Sequence, residues 1–174
     1  MDRSQLREMQ APLKDKYKGD PESAVITLTA DGSLTEGVTC SVQTGRALAK
    51  AGLHPMTGGD GASLCSGDML LQALAACAGV TLNAVATSLE IPIRGGEVHV
   101  EGDLDFRGTL GVAKDAPVGF RDIRVQFRLD TDAEQDQLDT LLKLTERYCV
   151  VYQTLASPLS LDVSVQRATA DATA

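Results

Sequence analysis

Two stretches of the chain place thiols where helices should form. Cys77 lies in CSGDMLLQALAACAGVTL (65–82), which opens on Cys65 and carries one acid, Asp68. Cys149 lies in TERYCVVYQTLA (145–156). The thiolate is the nucleophilic form of cysteine. Two cysteines on packed helices can come within the roughly 4.4–6.8 Å Cα separation of a disulfide. One thiol could then attack an oxidant and the other resolve the product. The competing reading is packing, because free cysteine is among the most buried residue types. Cys40, on the inward side of an alternating strand, fits that reading, and Cys65 precedes the helix as a packed or incidental thiol. The chain has no C-x-x-C, no H-x-x-x-H and no G-x-S-x-G, and His99 alternates onto a polar face. Zinc and serine-hydrolase chemistry are therefore poorly supported.

The elements around these residues follow from periodicity. Residues 4–18 suggest a short surface helix, interrupted or restarted at Pro12, and GDPES (19–23) a turn. AVITLTA (24–30) and GVTCSV (37–42) read as strands, and the Gly- and Pro-punctuated stretch 52–63 as a loop. Ser66 suits the N-cap of a helix ending near Leu89, with Asp68 at its positive end. That helix is apolar on nearly every heading, as Leu70, Leu71, Leu74, Ala75, Ala76, Val80 and Leu82 illustrate. Such a helix belongs in the middle of a core, wrapped by sheet or covered by a second copy of the chain. Residues 98–106 and 123–129 alternate with period two, which predicts strands with one wet and one packed face. TDAE (131–134) has the form of a capping box for a helix running to about Leu155, with Leu138, Leu142, Thr145, Cys149 and Tyr152 inward. Leu159, Leu161, Val163 and Val165 predict a last strand.

The order predicts an α+β fold with helices against one face of a largely antiparallel sheet. The expected organisation is an N-terminal helix and turn over 1–23, one domain over 24–166, and a frayed tail over 167–174. The 174 residues can bury a core without disulfide staples. The net charge of −8 argues against nucleic acid or an anionic membrane as partner. The charged start MDRSQLREMQ is unlike a signal peptide, and Asn83 interrupts the longest apolar run. A cytoplasmic location is expected, where thiols stay reduced.

GGDGASLCSGDMLLQALAACAGVTL (58–82), VEGDLDFRG (100–108) and TERYCVVYQTLASPLSLDVSV (145–165), in this order and spacing, resemble the OsmC/Ohr family of thiol-dependent organic hydroperoxide reductases. The resemblance covers about Pro55 to Val165. It implies an intertwined homodimer with the sheet wrapped around the central helix and two active sites at the subunit interface. It implies Cys77 as the attacking cysteine, Cys149 as the resolving one, an organic hydroperoxide substrate, an external dithiol reductant, and no metal, flavin or haem. Half-ionising a thiol at pH 7 takes about 2 kcal/mol of preferential stabilisation of the thiolate, which one nearby arginine can supply. The resemblance implies such an arginine from the N-terminal hairpin region, for which Arg46 after the second strand is the candidate, oriented by a carboxylate matched by Asp68. Helix-dipole and solvated-loop roles compete for these two residues. The chain departs from the family pattern at Cys65-Ser66-Gly67, at Val150 where proline is common, and at Tyr152 where histidine often stands. An alternative reading keeps the fold and pocket for a non-catalytic redox sensor or hydrophobic-ligand binder.

Overall fold

The structure is a computed structural model that describes residues 2–20, 32–35, 39–44, 47–111 and 113–167. The expected strand over 24–30, Arg46 and the tail from residue 168 lie outside the described residues. Helix α1 (Arg3–Gly19) continues through Pro12 without restarting. Three antiparallel strands follow, β1 (Gly32–Thr35), β2 (Thr39–Thr44) and β3 (Ala47–Gly52). Cys40 pairs with Ala51 in their register. A 3-10 turn at Pro55–Thr57 breaks the loop, and β4 (Leu64–Cys65) runs parallel to β3 before α2 (Ser66–Leu89). Strands β5 (Gly95–Leu104) and β6 (Phe120–Asp130) form a separate antiparallel ribbon, with the short helix α3 (Phe106–Thr109) between them. Helices α4 (Gln135–Tyr148) and α5 (Val150–Ala156) complete the order. The architecture is mixed α+β, and the described residues form two small sheets where the alternation predicts one.

The ribbon explains where the helices go. Val98, Val100, Leu104, Ile123, Val125, Phe127 and Leu129 fall on its shielded face, while the intervening charged residues face solvent. Arg124 bridges Glu101 at 2.6 Å and Asp103 at 2.7 Å across that outer face. Gly102 sits where a Cβ would come 2.7 Å from the Phe120 ring, so any larger residue would displace that ring. Against the shielded face lies α2, whose buried residues Leu74, Ala78, Leu82 and Ala86 recur every four positions. Leu82, Ala86, Ile91 and Leu141 form one core cluster. Leu74, Ala78 and Cys149 form a second, and Phe127 packs on both.

Three local expectations are corrected. The helix after the ribbon starts at Glu134, not at Thr131: Glu134 and Gln137 make the reciprocal capping box. The Thr131 hydroxyl donates to the Pro92 carbonyl instead, tying the end of β6 to the end of α2. Cys65, rather than Ser66, occupies the N-cap of α2, with no side-chain cap bond. Residues 158–167 carry no strand, because alternation selects a face but a strand needs a partner edge, and none of the described strands pairs with them.

Helix α2 is long and apolar enough to cross a membrane by length and composition alone, yet here it packs as a core helix on one side only. Val80, on its other side, is 71% exposed. The helix ends on Glu90, which has φ 58° and is the only non-glycine residue in the left-handed region among those described. That conformation costs an ordinary residue about 1–2 kcal/mol. The exposed Arg3–Glu90 pair, at 2.6 Å, is of a kind worth only about 0–1 kcal/mol.

Candidate active site

The second core cluster brings Cys77 and Cys149 together. Cys77 is half-buried in the unbroken middle of α2, and Cys149 is 1% exposed. Cys149 does not lie inside a continuous helix as expected. Its backbone is extended (φ −74°, ψ 109°), so it closes α4 and opens α5 at once. Its N–H still bonds the Thr145 carbonyl, and its carbonyl accepts from Gln153 N–H, both at 2.9 Å.

The break has a chemical consequence. The first N–H groups of a helix have no partner within it. Here the Val150 and Val151 N–H groups, the Thr81 hydroxyl and the Cys149 thiol lie near enough to the Cys77 sulfur to favour its thiolate. Burial pushes the Cys77 thiol up, but these donors outweigh it, led by Val151 N–H, and hold it below the usual thiol value. Burial pushes Cys149 up, and neighbouring Cys77 adds to this. The Tyr152 and Val151 N–H groups offset only part of the rise. The pair is thus polarised: the easier thiolate forms on Cys77, and Cys149 keeps its proton to donate.

Two open apolar grooves flank Tyr152. One, of about 300 Å³, reaches Cys149 past Ala78, Phe127 and Leu142, with Glu146 on its lining. The other, of about 320 Å³, runs past Leu74, Ile123 and Leu155 toward Arg121 and Asp122.

The remaining expected residues stand apart from the pair. Asp68 is exposed in the first turn of α2. It is nine residues before Cys77, about 13 Å along the helix at 1.5 Å per residue. No guanidinium among the described residues contributes to the lowering of Cys77. Cys65 is half-buried at the N-cap, twelve residues or about 18 Å before Cys77, too far for a bond between them within one chain. Among the described residues no cluster of three His, Cys, Asp or Glu side chains is placed to hold a metal. The backbone donors at Val150 and Val151 are what residue-type reasoning overlooked. The one available clue was the pair of β-branched residues after Cys149, both weak helix formers.

The sequence model of the family described as OsmC-like protein matches residues 59–164, and the chain belongs to that family. The fold is similar to that of an OsmC-like protein from Mycoplasma pneumoniae, with a TM-score of 0.63 and 18% identity over 75% of this chain and 88% of that one. A Legionella pneumophila organic hydroperoxide resistance protein OsmC gives a TM-score of 0.59 and 15% identity over 75% and 90% of the two chains. An organic hydroperoxide resistance protein from Elizabethkingia anophelis gives 0.60 and 12% over 74% and 87%. No curated protein sequence matches the chain.

Proposed function

We propose that this chain is a thiol-dependent peroxidase that reduces organic hydroperoxides to alcohols. The observation that carries the reading is the Cys77–Cys149 pair, half-buried and buried in one apolar cluster and polarised in opposite directions, Cys77 lowered by neighbouring donors and Cys149 raised by burial. The Cys77 thiolate attacks the outer peroxide oxygen. The O–O bond breaks, the alkoxide leaves and takes a proton as ROH, and Cys77 becomes a sulfenic acid. The Cys149 thiol attacks that sulfur, and the disulfide forms with loss of water. An external dithiol restores both thiols and is itself oxidised to a disulfide. Apolar grooves favour an organic peroxide over hydrogen peroxide, because only the former buries hydrocarbon there. Arg46, oriented by Asp68, is the proposed additional stabiliser of the thiolate. Asp68→Asn, which removes the charge at nearly constant shape, then lowers the peroxidase rate more than the melting temperature.

The working unit we infer is a homodimer. Val80 on α2 is 71% exposed, and Leu161, Val163 and Val165 are 81%, 96% and 93% exposed on a segment that pairs with none of the described strands. A two-stranded ribbon is marginal without further strands, and an apolar surface of this kind marks an interface. Light scattering should give twice the chain mass at micromolar concentration; a monomer would refute the assembly.

Thiol titration with one equivalent of cumene hydroperoxide tests the activity. Rapid loss of two thiols per chain, with turnover when a dithiol is supplied, is expected. Slow loss would reduce the cysteines to packing, and fast loss without turnover would indicate a sensor.

A further inference from the structure

Helix α1 lies outside the residues matched by the family, 59–164, and its inner face is unusual. Arg3, Leu6, Arg7, Gln10 and Lys14 recur along α1 at helical spacing and, with Ser88 of α2, line a half-enclosed cavity of about 350 Å³. Two guanidinium groups, an ammonium, an amide and a hydroxyl line it, and no carboxylate is among the described lining residues. The chain carries a net charge of −8, so this gathering of cations runs against its overall balance. Neither Arg7 nor Lys14 forms a hydrogen bond or ion pair with another of the described residues. Arg3 is held through one nitrogen by Glu90 at 2.6 Å, and its other donors bond none of the described residues. Glu90 is the non-glycine residue kept in the left-handed region, at a position where glycine would sit without strain. Its carboxylate fixes Arg3 across the end of α2, and positioning that guanidinium accounts for a side chain the weak ion pair alone does not justify.

We propose that this cavity binds a small soluble anion carrying two phosphoryl groups. Arg3 and Arg7 are one turn apart, about 6 Å along the helix, and their planar forks suit one phosphoryl group. Lys14 lies about 10 Å further along and reaches back as a point charge toward the second. Among the described lining residues Leu6 is the only apolar one and none is aromatic, so these residues favour phosphoryl groups over a stacked base. The site is independent of the thiols, and its test uses no hydroperoxide.

Inorganic pyrophosphate titrated calorimetrically into the full-length protein at low ionic strength is the probe. Saturable binding of one pyrophosphate per chain is expected, weakening as salt is added. The Arg7→Gln/Lys14→Gln double variant, altered only at exposed positions, should bind at least about tenfold more weakly. Glu90→Gly should melt no lower than the parent, because glycine relieves the backbone, yet should bind pyrophosphate more weakly because Arg3 is released. No saturable binding at millimolar pyrophosphate, or equal affinity in the double variant, would overturn the proposal. So would binding to phosphatidylglycerol vesicles in the absence of pyrophosphate binding, which would transfer the site to a lipid surface.

Discussion

Cys77 and Cys149 share one apolar cluster, yet they sit on opposite kinds of helix. Cys77 lies inside α2, where every neighbouring N–H is already committed to its own helix. Cys149 lies at the break between α4 and α5, where N–H groups are released. The donors freed by the break serve both sulfurs, but Val150 and Val151 together with Thr81 and the Cys149 thiol favour Cys77 enough to overcome burial. Around Cys149 burial wins. A thiol's reactivity is thus set less by the helix that carries it than by an interruption in its neighbour.

The strongest way to break this comparison is to remove the favoured sulfur. Cys77→Ser should lower reaction with cumene hydroperoxide to the uncatalysed background, measured by peroxide consumption; residual fast consumption would mean another thiol attacks. Next comes Val150→Pro. Proline is tolerated at the first position of a helix, and the extended Cys149 before it is compatible. The variant keeps the fold and deletes one N–H donor, so Cys77 alkylation at pH 7 should slow by up to about tenfold. Its pH midpoint should rise and the melting temperature should hold. Thr81→Val removes the weakest of these donors at nearly constant shape and should slow alkylation by about threefold. In the parent protein the alkylation midpoint should lie below that of a free thiol, because Cys77 is held down. In Cys77→Ser the remaining pair member, Cys149, should titrate above it.

The smallest effect concerns the solvent face of the ribbon, which serves as a control. Arg124 holds the Glu101 and Asp103 carboxyls below their usual range, and Arg107 holds Asp105 at about 2. A carboxyl lowered in the folded state adds stability above its unfolded value, near 4, which is lost as pH falls through the folded value. The melting temperature should therefore drop between about pH 4 and 2, and drop less in Arg124→Gln. The thiol profile should be the same in both proteins.

Much of this arrangement was legible in the residues. The long apolar run from Leu70 to Leu82, and the alternation around Val98–Leu104 and Ile123–Leu129, place the helix and ribbon, but which face of that all-round apolar helix is buried shows only in the structure. The ends of elements were less legible, because they depend on contacts between them. Thr131 has the right type and spacing for a cap, but its hydroxyl is drawn to the Pro92 carbonyl and the cap moves to Glu134. The break at Cys149 carries no glycine or proline to mark it. The alternation of Leu159–Val165 describes a surface, and surface alone does not create the neighbouring edge. Asp68 reads as a dipole acid or an orienting acid with equal ease, and its distance along α2 means any catalytic effect must pass through another group.

The central claim is that Cys77 attacks and Cys149 resolves. The most direct test is Cys149→Ser treated with one equivalent of cumene hydroperoxide in the presence of dimedone, followed by peptide mass spectrometry. One dimedone adduct per chain on Cys77 is the predicted result, since the sulfenic acid then has no partner thiol. An adduct on Cys65 or Cys40, or no adduct after the peroxide is consumed, would contradict the assignment.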